Sequence, residues 1–315
     1  MPGVRAAVLR EIGGRLEAAD LPDPSPADGE VVVDITHASV NPLDIWISRG
    51  APGSAASLLP WIPGTEATGT LDGEPVLVRG AGLGIARRGL FASKVAAPRE
   101  AVVPLPPGTD PAVAAGLGVA GLTAWNCTRS LGACAPDDRV LVLGASGGVG
   151  SLAVQLAAAT GATVWAQTTS SSKADAVAAL GATKVVTADA GTLAASTSEL
   201  APTLVLDGLG GAFTRAAIEV MQPGGRLVLY GVSADDEIVL SGRGLYRKSV
   251  SMLGYSGLLL DAGQQAATLA DLFALVRDGG LRVPIELVPL SEADSAFRRI
   301  LDRDVQGKLI LDTSR

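Results

Sequence analysis

The sequence predicts an α/β fold: a doubly wound parallel sheet in the second half of the chain, with an irregular, mainly β domain beside it. Three observations predict it. From about residue 121 short apolar strands alternate with helical stretches. Residues 1–110 are instead rich in Pro and Gly, with brief strand-like runs. A chain of 315 residues is also long for one hydrophobic core, which favours two domains.

In the second half, apolar runs predict strands at 140–143, 163–168, 184–187, 203–207, 226–231 and 249–254. Helical stretches at 150–160, 172–180 and 212–221 separate them. Such alternation implies a parallel sheet with right-handed crossovers. A helix over 264–278, a strand at 285–288, a helix over 292–302 and a last strand at 308–311 follow. In the first part strands are predicted at 30–39, 75–78 and 94–97. The three prolines within 20–29 mark a loop. No internal repeat or low-complexity tract interrupts this order.

Composition narrows the function. Hydrophobic residues make up 48% and charged residues 18%, the balance of a globular enzyme rather than a disordered chain. The formal net charge of -7 argues against nucleic acid, whose phosphates would repel the chain. The first fourteen residues alternate apolar side chains with Arg5, Arg10 and Glu11, unlike a signal peptide. The longest apolar stretch, 111–125, is broken by three glycines and is too short to span a bilayer. The expectation is a cytoplasmic protein without a membrane partner.

Cys127, Cys134 and His37 are the whole cysteine and histidine complement. A structural zinc usually takes four Cys or His ligands, and a catalytic zinc three protein ligands, so no zinc site is predicted. The two cysteines read as buried thiols, and His37 as a hydrogen-bonded histidine within the strand 30–39.

The most specific local signal is Val-Leu-Val-Leu-Gly-Ala-Ser-Gly-Gly-Val-Gly at 140–150. An apolar strand ends in a glycine-rich turn, and an alanine-rich amphipathic stretch follows. Free backbone N–H groups and the positive end of the helix dipole then converge on one spot, an anion site. Gly147 and Gly148 let the backbone approach a pyrophosphate, and Gly150 lets the helix pack against the strand. Ser146 and Val149 complete the predicted dinucleotide turn. Ala145 stands where the Gly-x-Gly-x-x-Gly fingerprint has its first glycine, so the match is partial.

Further segments carry a resemblance across nearly the whole chain. They are Asn41-Pro42-Leu43-Asp44, the run Pro63 to Gly69 (Pro-Gly-Thr-Glu-Ala-Thr-Gly), Gly121-Leu122-Thr123-Ala124-Trp125, Gly224-Gly225-Arg226-Leu227-Val228 and Gly307-Lys308-Leu309-Ile310-Leu311. In this order they resemble the landmarks of the zinc-free medium-chain dehydrogenases/reductases, in the quinone oxidoreductase (zeta-crystallin-like) branch. The resemblance implies a Rossmann-type dinucleotide-binding domain at 122–256. It also implies a GroES-like catalytic β domain at 1–121, completed by the tail 257–315, with the active site in the cleft between the domains. Zinc-bearing relatives have a Cys near position 41 and a His near position 65, where this chain has Asn41 and Thr65. The resemblance also implies a homodimer in which the sixth strands pair edge to edge, hiding an open sheet edge.

The cofactor follows from charge. An acid at the end of the second strand would bind the ribose hydroxyls of NAD and repel a 2′-phosphate. Here that strand ends Gln167-Thr168-Thr169-Ser170-Ser171-Ser172-Lys173, with hydroxyls and a lysine suited to a phosphate. One of the serines also suits a helix N-cap, which is compatible with phosphate binding. By resemblance Lys173 and Arg303 stand where NADPH-preferring relatives hold that phosphate. The tyrosine those relatives often add is replaced by Ala188. NADPH is therefore the predicted cofactor, with NADH as the alternative and no zinc.

By resemblance Asn41 and Thr123 lie near the nicotinamide and substrate, and Asp44 braces the loop holding Asn41. These three form the predicted catalytic set. Gly231 and Val232 follow the fifth strand, and Tyr255 the sixth, at the strand ends where α/β sheets bind ligands. Trp46, Trp61, Phe91 and Tyr255 are predicted to make an aromatic substrate pocket, with core packing as the competing reading of each. Enoyl-thioester reductases of this superfamily often carry a proton-donating Tyr where this chain has Trp46. Indole N–H is no useful acid, leaving solvent, Tyr255 or His37 as proton sources.

Three functions compete. The first is NADPH-dependent reduction of an activated C=C bond in a small quinone, enone or alkenal, with hydride going to the β carbon and hydrogen-bond donors stabilising the enolate. The second is a biosynthetic enoyl-CoA reductase, with Arg87, Arg88 and the cationic run 243–248 meeting the CoA phosphates. The third is a non-catalytic NADPH-binding protein.

Overall fold

Short runs with one apolar face supply the strands of a first unit. The computed structural model describes residues 3–51 and 59–314. In chain order the first elements are β1 (Val4–Leu9), β2 (Leu16–Leu21), β3 (Glu30–Ser39), α1 (Pro42–Ser48), β4 (Glu66–Leu71), β5 (Glu74–Arg79), β6 (Lys94–Pro98), β7 (Val102–Pro104) and α2 (Pro111–Ala115). Next come α3 (Ala120–Trp125), continued by a π-helical turn at Asn126–Leu131, then β8 (Arg139–Leu143), α4 (Gly148–Ala158), β9 (Thr163–Thr168), α5 (Ala174–Ala178) and β10 (Lys184–Thr187). They are followed by α6 (Leu193–Thr197), β11 (Leu204–Asp207), α7 (Gly211–Val220), β12 (Arg226–Leu229), α8 (Gly242–Lys248), β13 (Ser251–Gly254) and α9 (Ala262–Arg277). The last elements are β14 (Ile285–Pro289), α10 (Ala293–Leu301) and β15 (Lys308–Asp312).

The chain divides into a unit of residues 1–119, 269–277 and 283–315 and a unit of residues 120–268 and 278–282. The second unit thus begins at 120 rather than 122, and it keeps 257–268, which the sequence assigns to the tail of the β domain.

In the first unit a sheet runs in the order β14-β15-β3-β4-β5-β7, with β6 also pairing β3. β14 and β15 are parallel, and the remaining pairs are antiparallel. β1 and β2 form a separate antiparallel hairpin. Leu9, Val33, Leu90, Phe91 and Phe297 are among the residues of one apolar core. This sheet fixes the site because β15 lies beside β3, and β3 beside β4. Residues at the ends of three strands distant in sequence therefore meet.

The second unit holds a six-stranded, all-parallel sheet in the order β10-β9-β8-β11-β12-β13. Numbered along the chain this is 3-2-1-4-5-6, the doubly wound order, which reverses between β8 and β11. Leu141, Leu143, Val205, Phe213 and Leu227 belong to its apolar core. No helix among the described residues is long and apolar enough to cross a membrane.

Candidate active site

The glycine turn joins β8 to α4 at the C-terminal end of the parallel sheet. Gly144 begins it with φ +66°, in the left-handed region that glycine alone enters freely. Ala145, at the fingerprint's first-glycine position, is buried, and its N–H donates to the Gln167 carbonyl at 2.9 Å. A Cβ at Gly150 would collide with the Gly144 carbonyl oxygen, so only glycine permits this approach of helix to strand. Ser146, Gly147, Gly148 and Val149 are partly exposed at the N-terminus of α4; the Gly147 N–H turns back to the Gly144 carbonyl at 3.0 Å, while the first N–H groups of the helix have no intrahelical acceptors. These residues fit a dinucleotide pyrophosphate.

The end of β9 carries the hydroxyls. Thr168 is buried, and the Ser170 N–H donates to its hydroxyl at 3.3 Å. The Ser170 and Ser172 hydroxyls are 2.7 Å apart, and Lys173 ends the short 3-10 turn Ser171–Lys173. No carboxylate stands in this stretch. Gly231 and exposed Val232 follow β12. Tyr255 follows β13, and its hydroxyl donates to the carbonyl of Leu122, the residue before Thr123, at 3.5 Å. Thr123 and Tyr255 are thus brought together within one unit. Arg303 lies in the other unit, exposed after α10 with φ +57°.

Two buried side chains shape these strand ends, and the sequence reading missed both. The Gln167 Oε1 accepts the Gly144 N–H at 2.9 Å, and its Nε2 donates to the Ala188 carbonyl at 2.7 Å. Asp207, at the end of β11, accepts from the N–H groups of Leu209 (2.8 Å) and Gly210 (3.1 Å) and the Thr214 hydroxyl (2.5 Å). Burial raises the Asp207 carboxyl above its usual range against these donors. A carboxylate closing an apolar strand just before glycines was the available signal for Asp207.

In the β unit the predicted Asn41 sits at the end of β3, before α1. Its backbone N–H donates to the Asp44 carboxylate at 2.7 Å, bracing the first turn of α1. Its amide is fully engaged. Nδ2 donates to Glu66 Oε1 at 2.9 Å and to the Ser39 carbonyl at 3.4 Å, while Oδ1 accepts the Lys308 ammonium at 2.5 Å. Lys308 also donates to the Val40 carbonyl (3.2 Å) and to Glu66 Oε1 (3.4 Å), and the Val119 N–H donates to Glu66 Oε2 at 2.6 Å. Glu66, Lys308, Asn41 and Asp44 are all buried. Burial lifts the Asp44 carboxyl to about 7 against the pull of the Asn41 N–H. Glu66 and Lys308 stand inside two of the quoted landmarks, but nothing in the sequence pairs them.

The residues at the position of the relatives' metal do not fit zinc. Position 41 offers an amide oxygen and position 65 a hydroxyl, both poor zinc ligands. The Lys308 ammonium already donates to Asn41 Oδ1 and would repel a dication there. Cys127 is buried, which pushes its thiol far up, and Cys134 Sγ lies 3.5 Å from the Thr160 hydroxyl. His37 is half-buried with Nδ1 3.0 Å from the Thr36 hydroxyl. Burial lowers its pKa against the fields of Asp312 and Asp110.

The predicted aromatic pocket needs correction. Trp61 (2% exposed) and Phe91 (0%) pack into the β-unit core, Phe91 edge-on to Phe297, and neither presents a face to a ligand. Both flank the Pro-Gly turn at 63–64, and the local sequence gives no sign that the chain folds inward there. Trp46, by contrast, is 56% exposed on α1, which lays Ile45 and Ile47 into the interior. The proposed cationic cluster is also reduced. Arg87 pairs with Glu30 at 2.8 Å, and the Lys248 ammonium donates to the carbonyls of Ile218, Glu219 and Met221 at the end of α7.

Residues 148–280 match the family described as zinc-binding dehydrogenase. The quinone oxidoreductase from Thermus thermophilus, whose structure was solved alone and in complex with NADPH, is 31% identical. The alignment covers 98% of this chain and 99% of that one, with a TM-score of 0.83. The acrylyl-CoA reductase AcuI of Ruegeria pomeroyi is 27% identical, covering 95% of this chain and 93% of the relative. A phenolphthiocerol/phthiocerol polyketide synthase of Mycobacterium tuberculosis is 29% identical over 98% of this chain, which spans 15% of that protein's length. With the parallel sheet, the glycine turn and the GroES-like unit, the chain belongs to the medium-chain dehydrogenase/reductase family of oxidoreductases, in its quinone oxidoreductase branch.

Proposed function

We propose that this protein is an NADPH-dependent reductase of activated C=C bonds that works without zinc. The observation that carries the reading is the open glycine turn beside a β9 end that offers Ser170, Ser172 and Lys173, with the buried Thr168 bracing Ser170 and no carboxylate. The turn amides and the N-terminus of α4 would hold the pyrophosphate, and Lys173 with the serine hydroxyls would hold the 2′-phosphate. Bound there, the cofactor supplies a hydride to the β carbon of the substrate. Thr123 and Tyr255 contact the nicotinamide end with the backbone at Gly231 and Val232. In the β unit Trp46 stays exposed on α1 and available to a substrate. The Asn41 Nδ2 already donates to Glu66 and Ser39, so Asn41 organises its own unit rather than donating to the substrate oxygen. The NADPH complex of the Thermus thermophilus relative supports the cofactor. A cytoplasmic homodimer pairing through β13, which lies at the sheet edge, belongs to the same reading.

Small quinones and enones are the favoured substrates, because the Lys248 ammonium, one of the cations proposed for the CoA phosphates, is spent on the carbonyls that end α7. An enoyl-thioester reductase is the second reading, favoured by the similarity to acrylyl-CoA reductase. The test is NADPH oxidation with a quinone, a simple enone, an alkenal, crotonyl-CoA and a branched enoyl-CoA. Turnover of the free compounds is expected. Turnover confined to CoA thioesters establishes the second reading instead, and tight NADPH binding with no turnover across the panel moves the reading to a non-catalytic protein or to a narrower substrate.

A further inference from the structure

The side chain of Gln167 joins three strands. Oε1 accepts from Gly144 at the end of β8, and Nε2 donates to Ala188 just past β10. β9, which carries Gln167, runs between those two strands. The backbone carbonyl of the same residue accepts from Ala145. The side chain is fully buried, and a buried amide is costly unless its hydrogen bonds are made. Here both are made, and one of them fixes the first N–H of the glycine turn. On the other flank of β8 the Asp207 carboxylate shapes the turn at 208–210, and the Leu209 side chain lies against Gly144, where an added Cβ would stand 3.1 Å from it. The turn is held from both sides by buried side chains.

We propose that Gln167 is a positioning residue for the cofactor. Its amide holds Gly144 so that the following N–H groups converge on the pyrophosphate. An anion site built from backbone amides depends on their being pre-oriented, because the amides cannot swing to meet the ligand without breaking the turn. The inference rests on the dinucleotide reading above.

The test compares Gln167→Met, which removes both hydrogen bonds at similar volume, with Thr203→Val. The latter removes the 2.6 Å hydrogen bond to Asp138 at the opposite end of the sheet. NADPH affinity is read by fluorescence titration, and the turn itself by amide hydrogen exchange over 144–148. In the wild type the Gly144 amide is expected to be as protected as the interior of β8. In Gln167→Met exchange over 144–148 accelerates, NADPH affinity falls about tenfold and the KM for NADPH rises with it, with kcat at saturating cofactor within about twofold. Thr203→Val leaves affinity and turn exchange within about twofold even where its Tm falls as far. An unprotected Gly144 amide in the wild type overturns the proposal whether or not the variant folds. So does unchanged affinity in Gln167→Met, or an equal loss in Thr203→Val. Wild-type protein that binds no NADPH defeats the dinucleotide reading instead, and the exchange data still decide whether Gln167 holds the turn.

Discussion

The glycine turn of the parallel-sheet unit and the Asn41 cluster of the β unit are made of opposite materials. The turn presents backbone. Its character comes from side chains that are missing at Gly144 and Gly150, and from N–H groups left open at a helix start. The cluster presents almost nothing. Two charges, an amide and a carboxyl are turned inward on one another. A site of the first kind responds to added atoms, because its shape is the absence of a Cβ. A site of the second kind responds to removed partners, because each buried charge is tolerable only while the other stays.

Adding a side chain should break the turn outright. Gly150→Val forces a Cβ against the Gly144 carbonyl, and NADPH affinity is expected to fall more than about a hundredfold, read by fluorescence titration. A valine that leaves affinity intact would mean that helix and strand do not meet as closely as described. In the cluster the corresponding change is a deletion. Lys308→Met takes the ammonium from the buried Glu66 and leaves it only the Asn41 and Val119 N–H donors, with an expected loss of about 3–5 kcal/mol in denaturant unfolding. The double variant Glu66→Gln with Lys308→Met should recover much of it. A double variant as unstable as the single one would show that the pair is not the source of the loss.

Asp44 sharpens the contrast through pH. Its carboxyl titrates near 7 in the folded chain and near 4 when unfolded, so the folded state holds an extra proton between these values. Stability from this group is unaffected below about pH 4, falls as pH rises towards 7, and stays low above it. Asp44→Asn cannot ionise. Its advantage over the wild type should therefore be absent at pH 4 and reach on the order of 2–4 kcal/mol at pH 8, measured by urea midpoints at both pH values. A gap that does not change with pH would contradict a neutral Asp44. The smallest effect belongs to Lys173, half-buried at the end of the 3-10 turn. Lys173→Ala should weaken NADPH about tenfold and leave NADH nearly unchanged, because only NADPH carries the extra phosphate. Equal loss of both would remove Lys173 from the phosphate site.

The same difference explains what is legible in the sequence. The parallel sheet is legible because burial on both faces writes continuous apolar runs, and all six of its predicted strands exist. The turn is legible because glycine spacing is local. The helix predicted over 172–180 is instead a 3-10 turn and the short α5, since serines at its start bond one another and their own turn. The strands β1, β2 and β4 and the seven-residue α1 carry no such mark. Their order comes from partners far along the chain, such as Trp61 against Leu9 and Lys308 against Asn41. For the same reason Trp61 and Phe91 look like pocket residues in the sequence: Trp61 precedes a Pro-Gly turn and Phe91 packs on that turn only in the fold, so neither carries a local mark of which way it faces. Gln167 stands out in the sequence only as a residue that is not an acid, while its two hydrogen bonds depend on strand neighbours that only the sheet order supplies.

The most direct test of zinc-free, NADPH-dependent reduction is the rate of NADPH oxidation with a simple enone by protein stripped of metal with a chelator. The Lys308 ammonium at the relatives' metal position and the open glycine turn predict full activity in the stripped protein, no gain on adding zinc, and a strong preference for NADPH over NADH. Activity lost on stripping and restored by zinc, or no oxidation of NADPH by any activated alkene, would contradict it.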